Sequence, residues 1–447
     1  MQLLDLITIF IFALGIVIMG LSFSGKGRNM KSFFAAGGAV PWAMSGLSLF
    51  MGFFSAGTFV VWGSIAYSLG WIAISIQWTM AIAGFVVGFF IAPRWHKTSA
   101  LTVAEYITRR LGVNTQKTYT YLFLFISLFT TGSFLYPVAK IVEVSTGMPL
   151  DLCILLLGGF CIVYVAAGGL WAVVSTDVLQ FIILTAAVLI VVPLSFGRVG
   201  GVVNFIESIP ATYFNLVNGE YTIGFIIAFG VYNAIFLGGN WAYVQRYASV
   251  NSQSSARKVG FLFGGLYVVS AVLWMLPPMI YRIVNPSLST IDAEGAYLMM
   301  CKEVLPAGLL GLMLSGMVFA TASSLNATLN ISSGVVTNDI FKRLFPQSSD
   351  KTLMRVARIS TIIFGLLAII VALLIPLMGG IVNVVISVAA LTGVPLYLPI
   401  IWTLFSKRQT EYSVITTTLV SLGANAFFKF ITPLWGFGFN RAEEMIV

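Results

Sequence analysis

Two adjacent hydroxyls inside an apolar run are the first residues that could do chemistry. Ser323 and Ser324 fall on one helical face with Gly316, Ala320 and Ala327, at i, i+4, i+7, i+8 and i+11. Small residues on that face admit a close neighbour, and the hydroxyls offer oxygen ligands to a hard cation such as sodium. Serines in a helix also bond back to the carbonyl four residues earlier, which is the competing reading. Asp177 is the sharpest single residue. It sits in Gly168-Gly-Leu-Trp-Ala-Val-Val-Ser-Thr-Asp-Val-Leu-Gln180, at the end of another apolar run. An ionisable group there predicts a role in ion passage; a solvated or helix-capping carboxylate is the alternative.

Cation ligation by backbone oxygen needs carbonyls that no helix already uses. Two runs carry suitable interruptions. Ser48-Leu-Phe-Met-Gly-Phe-Phe-Ser-Ala-Gly-Thr-Phe59 has Gly52, Ser55, Gly57 and Thr58 in mid-span, and Gly230-Val-Tyr-Asn-Ala-Ile-Phe-Leu-Gly-Gly-Asn-Trp241 is similar. Broken helices of this kind mark binding sites near the membrane midplane, where freed carbonyls can hold an ion. Close packing of small residues is the simpler explanation of either glycine pattern alone.

The elements that position these residues follow from composition. Hydrophobic residues make up 59% of the 447 and charged residues 9%, with a mean hydropathy of +0.98. A soluble domain carries roughly 25% charge, so lipid must solvate most of this surface. Continuous apolar runs of roughly 20 residues predict membrane helices, not the weak alternating segments of a barrel. About twelve segments are expected, near 3–23, 42–69, 71–93, 117–143, 150–168, 171–196, 222–245, 258–284, 306–336, 354–377, 380–405 and 412–434. The first lacks a basic leader region and reads as an uncleaved helix. Interrupted segments 2 and 7 stand five apart, so segments 2–6 and 7–11 would form units of opposite orientation, an inverted repeat. Segment 9 carries the serine face.

Charge sets the expected orientation. Lys26, Arg28, Lys31, Arg94, Lys97, Arg109, Arg110, Arg246, Arg257, Lys258, Lys342, Arg343, Lys351, Lys407 and Arg408 occupy alternate loops, which the positive-inside rule makes cytoplasmic. The opposite loops hold Asp151, Glu207, Glu220, Asp292 and Glu294, and the N terminus is expected outside. The net charge of +9 is thus an orientation signal, not a sign of nucleic-acid binding. Amphipathic Thr102–Gly112 predicts a short cytoplasmic helix lying at the interface. Cys153, Cys161 and Cys301 lack metal or redox spacing and read as buried thiols, and His96 as a loop or interfacial residue. Arg441-Ala-Glu-Glu-Met-Ile-Val447 resembles the start of another segment, suggesting truncation.

Several blocks in order resemble the sodium:solute symporter family, which includes bacterial sugar, sialic-acid and proline transporters. They are Gly168–Gln180, Asn240-Trp-Ala-Tyr-Val-Gln-Arg246 and Ser323-Ser-Leu-Asn-Ala-Thr-Leu-Asn330 leading to Thr337-Asn-Asp-Ile-Phe-Lys342. The resemblance implies an all-α integral membrane fold, a LeuT-type 5+5 inverted repeat with an extra N-terminal helix. The divisions expected are 1–37 (first helix and loop), 38–200 (repeat 1), 201–406 (repeat 2) and 407–447 (segment 12 and C-terminal end).

The same resemblance implies a sodium ion held by the carbonyls of Met51, Phe54 and Ala320 and the hydroxyls of Ser323 and Ser324, with Asp177 on the ion exit path. Some members bind a second sodium two and three residues further on, where this chain has Asn326 and Ala327; one ion per cycle is expected. Substrate positions implied are Ser55, Thr58, Gln77, Asn240 and Tyr243, the last an inner aromatic gate. Sugar transporters carry an acid where this chain has Gln77, which argues against sugar recognition of that kind; segment 4 lacks an arginine, one known way of binding a carboxylate, so a neutral or zwitterionic solute is expected. The implied protein is a multi-pass plasma-membrane importer, not an enzyme. Its partners are a small-molecule solute and membrane lipid, without nucleic acid or an obligate protein partner. A proton-coupled or uncoupled carrier, or a membrane sensor built on this module, are the alternatives; uptake that ignores sodium but follows pH would favour the first.

Overall fold

A computed structural model describes residues 2–24, 40–100, 102–164, 170–436, 439 and 443, and leaves out some side chains within helices, those of Ser323, Asn326 and Ala327 among them. The loop with Lys26, Arg28 and Lys31, residues Gly168–Gly169, the Cys161 side chain and most of the 441–447 stretch lie outside the described residues. The remainder is helical, with one isolated bridge between Val40 and Val250.

The helices are α1 (Leu3–Ser24), α2 (Trp42–Met51), α3 (Gly63–Leu69), α4 (Trp71–Val86), α5 (Val103–Leu111), α6 (Val113–Thr146), α7 (Leu150–Tyr164) and α8 (Leu170–Arg198). Then follow α9 (Ile223–Gly239), α10 (Trp241–Ala248), α11 (Gln253–Val284), α12 (Ala296–Val304), α13 (Leu309–Gly334), α14 (Asp350–Leu374), α15 (Ile381–Thr403) and α16 (Glu411–Ala426). Among the described residues, 7 stretches are long and apolar enough to cross a membrane, and α9 with α10, bent by 59°, makes an eighth. The other predicted segments fall on apolar helices that are shorter or broken, such as Trp42–Met51 and Thr58–Leu69. Large side chains such as Phe89, Leu155, Ile227 and Ile362 are exposed on the outside, where lipid takes the place of water.

Both expected interruptions are present. Between α2 and α3 the chain unwinds over residues 52–55 and resumes through a wide turn, Thr58–Trp62. Between α9 and α10 the break is at Asn240, whose side chain accepts the Ala242 amide and starts the new helix. The glycines before it serve close approach as well: a Cβ on Gly239 would lie 2.5 Å from Tyr397 Cβ.

Packing sorts the helices into two groups. α11 lies on α4 and α2, and α9 on α4 and α15, whereas α6 carries α7, α13 and α14. Glycines let α4 and α11 touch backbone to backbone, since a Cβ on Gly84 would sit 2.9 Å from Gly264 Cα. α1 packs on α13 and α8. Its Asp5 carboxylate accepts the amides of Gly308 at 2.7 Å and Gly311 at 3.1 Å, at the start of α13. That carboxylate both satisfies orphan donors and meets the positive end of the helix dipole.

Two expectations need correction. The apolar face of α5, Val103, Tyr106, Ile107 and Leu111, is buried in protein and does not rest on lipid. Tyr106 reaches Thr403 at 2.8 Å, and Arg110 donates to the Lys407 carbonyl at 2.9 Å, so α5 clamps the end of α15. Arg246, counted above among loop charges, lies in the last turn of α10 with its side chain only 13% exposed.

At the end remote from the basic loops, the turn Asp292–Gly295 is pinned by Glu294. Its Oε2 accepts the Tyr136 hydroxyl of α6 at 2.7 Å, and its Oε1 accepts the Ile381 amide that opens α15 at 3.0 Å. Burial pushes this carboxyl above its usual range, against those two bonds and nearby Lys140. Glu294→Ala is expected to lose about 1–3 kcal/mol by stranding both donors, and Glu294→Gln, which keeps an acceptor, to lose less. Thermal unfolding in detergent measures this; a wild-type midpoint for Glu294→Ala would contradict it.

Candidate functional site

A cavity of about 150 Å³ runs between the two groups of helices. Its walls come from Met51 and Gly52 at the end of α2, Asn240 and Tyr243 at the α9–α10 break, Ala320 and Ser324 on α13, and Tyr397 on α15. Along α6 it extends from Tyr119 to Phe134, about 22 Å of helix. Tyr119 lies near the basic-loop end, so the cavity occupies the half of the bundle between that end and the broken helices.

Beyond the break the interior is filled. Phe54 lies 4.7 Å from the Trp274 ring and Phe59 4.2 Å from Tyr297, and all four side chains are fully buried. A pocket of about 10 Å³ beside Lys140, Glu294 and Tyr297 remains there, room for about one water. This conformation is therefore open space on one side of the break and packed aromatics on the other.

The mouth near the basic loops carries a charged cluster. Ser48 donates to Asp177 Oδ2 at 2.6 Å, and Arg246 Nε donates to Ser48 Oγ at 3.2 Å. Arg246 Nη2 stands 4.0 Å from the same carboxylate oxygen. Asp177 is only 5% exposed, so this is a buried pair whose members depend on each other for solvation. It joins α2, α8 and α10. Arg246 is the functional-looking residue that sequence reasoning missed, and its spacing offered a signal: it lies one turn beyond Tyr243 on the same helical face.

The predicted residues divide by location. Met51, Ala320, Ser324, Asn240 and Tyr243 meet at the cavity wall, with Asp177 at its mouth. Phe54 belongs to the unwound stretch, its ring turned into the aromatic packing. Ser55, Thr58 and Gln77 are buried and do not line the cavity. Thr58 donates to the Phe53 carbonyl, and the Gln77 side-chain amide nitrogen finds no partner among the described residues. The Ser323 side chain lies outside the described residues.

Chemically, the junction of α2 with α13 suits a hard cation. Ser315, Thr321 and Thr328 donate back to the carbonyls of Gly311, Met317 and Ser324. No such bond from the Ser324 hydroxyl is found among the described residues, and Ser324 faces the cavity. Opposite it, the chain leaves α-helical pairing after Met51 and turns carbonyls away from an ordinary ladder. Tyr243 stacks on Phe53 at 5.0 Å and meets Phe236 edge-on at 5.5 Å, an aromatic floor under the break. Asn240 donates to the Tyr397 hydroxyl at 3.4 Å across the cavity.

Known proteins share this architecture. A sequence profile of the sodium:solute symporter family matches residues 33–420. The chain is 28% identical to a sodium/glucose cotransporter of Vibrio parahaemolyticus over 96% of this chain and 86% of that protein. It is 25% identical to sodium/glucose cotransporter 1 of Mus musculus over 91% of this chain and 68% of that protein. A sodium-coupled sialic acid symporter, solved substrate-bound and outward-open, superposes with a TM-score of 0.80 at 21% identity, covering 100% of this chain and 96% of that one. The nucleobase-cation-symport-1 transporter Mhp1, solved closed, gives 0.55 at 14% identity, covering 89% and 94%. The fold is thus the LeuT-like bundle with an extra N-terminal helix. Members of this family carry small solutes across membranes with sodium and do not transform them. With two broken helices around a shared cavity and a profile match over most of its length, this chain belongs to the sodium:solute symporter family.

Proposed function

We propose that this protein imports a small, neutral or zwitterionic polar solute with one sodium ion per cycle. The observation that carries the site assignment is the shared wall: Met51, Ala320 and Ser324 border the same cavity as Asn240 and Tyr243. In this reading sodium sits at the α2–α13 junction, held by the carbonyls of Met51, Phe54 and Ala320 and the hydroxyls of Ser323 and Ser324. The solute lies beside it against Asn240 and Tyr243. Ser55, Thr58 and Gln77 join from the far side of the break once the packed aromatics part; the unpartnered Gln77 amide is suited to that task. Relatives are named for glucose and myo-inositol, both uncharged, whereas Gln77 in place of the acid of sugar transporters argues against sugar recognition of that kind.

We take the basic loops to be cytoplasmic and the N terminus to be outside, in the plasma membrane with lipid around the apolar belt. The two repeats are 38–200 and 201–406, flanked by 1–37 and 407–447. On this orientation the cavity is the inward half of the transport path, and Ser48, Asp177 and Arg246 stand at its cytoplasmic mouth. Sodium leaving the junction passes the Asp177 carboxylate, which the Ser48 hydroxyl and the guanidinium of Arg246 hold in place. One charge moving through ~100 mV releases ~2.3 kcal/mol, and a tenfold sodium gradient adds ~1.4 kcal/mol. Together they sustain a solute gradient on the order of several hundredfold.

Ser324→Ala is expected to raise the sodium concentration for half-maximal uptake at least about tenfold, the worth of a hydroxyl bonded to a charge. Uptake into proteoliposomes at varied sodium measures it, and an unchanged half-saturation overturns the assignment. Arg246→Ala leaves Asp177 buried without its partner, a loss of about 3–5 kcal/mol to the latched mouth. Thiol labelling of Gln245→Cys from the cytoplasmic side should speed up in that background; equal rates would argue against a latch.

A further inference from the structure

The unwound stretch has its own accounting of backbone donors. Gly52, Phe53 and Phe54 donate back to the carbonyls of Leu49 and Phe50, and Thr58 to that of Ser55. Ala56 does something different: its amide donates at 2.9 Å to the hydroxyl of Thr321 on α13. That hydroxyl in turn donates at 2.9 Å to the Met317 carbonyl, one turn earlier in its own helix. Both residues are 0% exposed. An amide left unpaired in such a place is costly, so the bond ties the first amide after the break to a fixed height on α13.

That height is also where α13 presents its cation-ligating groups. Ala320 precedes Thr321 in sequence, and Ser324 lies one turn beyond it on the cavity side. We infer that Thr321 is a positioning residue: it holds the unwound stretch against α13 so that the carbonyls of Met51 and Phe54 stay at ligating distance from Ala320 and the serine pair. The inference rests on the sodium site proposed above. Thr321 touches no ion in this scheme. It pre-pays the ordering of the loop that sodium would otherwise have to impose, spending its O–H on the Met317 carbonyl and a lone pair on the Ala56 amide.

The test uses the full-length transporter in proteoliposomes. Thr321→Val keeps the shape and removes the oxygen; Thr321→Ser keeps the oxygen. The Val variant is expected to need about five- to tenfold more sodium for half-maximal uptake, the worth of one buried hydrogen bond. Its solute half-saturation measured at saturating sodium should stay within twofold, and the Ser variant should match the parent. Amide exchange of the peptide containing Ala56 should speed up in Thr321→Val without sodium and return to the parent rate at saturating sodium. If Thr321→Val does not reach the membrane folded, Thr321→Ala is read the same way. A Val or Ala variant with parental sodium half-saturation overturns the positioning role, as does one whose exchange sodium cannot restore. Ser324→Ala, run in parallel, separates the two ideas. If it shifts sodium dependence and Thr321→Val does not, only the positioning role falls; if it shifts nothing, the sodium site falls and the role of Thr321 with it.

Discussion

A backbone amide or carbonyl released inside hydrocarbon has no water to turn to, and every feature of this bundle answers that constraint. A transport site needs loose carbonyls at mid-depth, so it needs helices that stop and restart where protein, not lipid, surrounds them. Here the first break is enclosed by α13 on one side and by packed rings of Phe50, Phe54, Phe59 and Trp274 on the other. The second break begins its new helix with the Asn240 side chain. Because the freed groups are satisfied from neighbouring helices, breaking the ladder does not unravel the span.

The same economy governs charge. Buried carboxylates fasten one element to another: Asp5 joins α1 to the start of α13, Glu294 joins its turn to α6 and α15, and Asp177 with Arg246 spans α2, α8 and α10. These three contacts sit near opposite ends of the bundle, the first two remote from the basic loops and the third beside them. A bundle fastened at its ends by polar contacts and filled in the middle by aromatic rings has a natural place to move.

The geometry also shows why the cavity is one-sided. Beyond the break, Phe54, Phe59, Trp274 and Tyr297 pack ring against ring and are fully buried, and Ser55, Thr58 and Gln77 are buried away from the cavity wall. On the near side, small residues at Gly52, Ala320 and Ser324 leave room that larger side chains would have taken.

Much of this was legible in the sequence. Apolar runs of the right length point to membrane helices, because lipid imposes that length on any chain that crosses it; about twelve segments are expected, and among the described residues 7 or 8 are long and apolar enough to cross, the rest falling on shorter or broken helices. The breaks were legible too, because glycine and small polar residues recur in mid-span of two segments that stand five apart. What sequence could not decide is which side chains share a space. Arg246 looks like one more loop cation until α10 is seen to turn it back onto Ser48 and Asp177. Thr321 looks like a helix hydroxyl donating to its own backbone, which it does, until the Ala56 amide is found donating to the same oxygen. Ser55, Thr58 and Gln77 read as equals of Asn240 and Tyr243, yet only the last two border the cavity in this conformation. Spacing along a chain sets the face a residue occupies on its own helix; the partner on that face is chosen by packing between helices, which lies far apart in sequence and is settled only when the bundle closes.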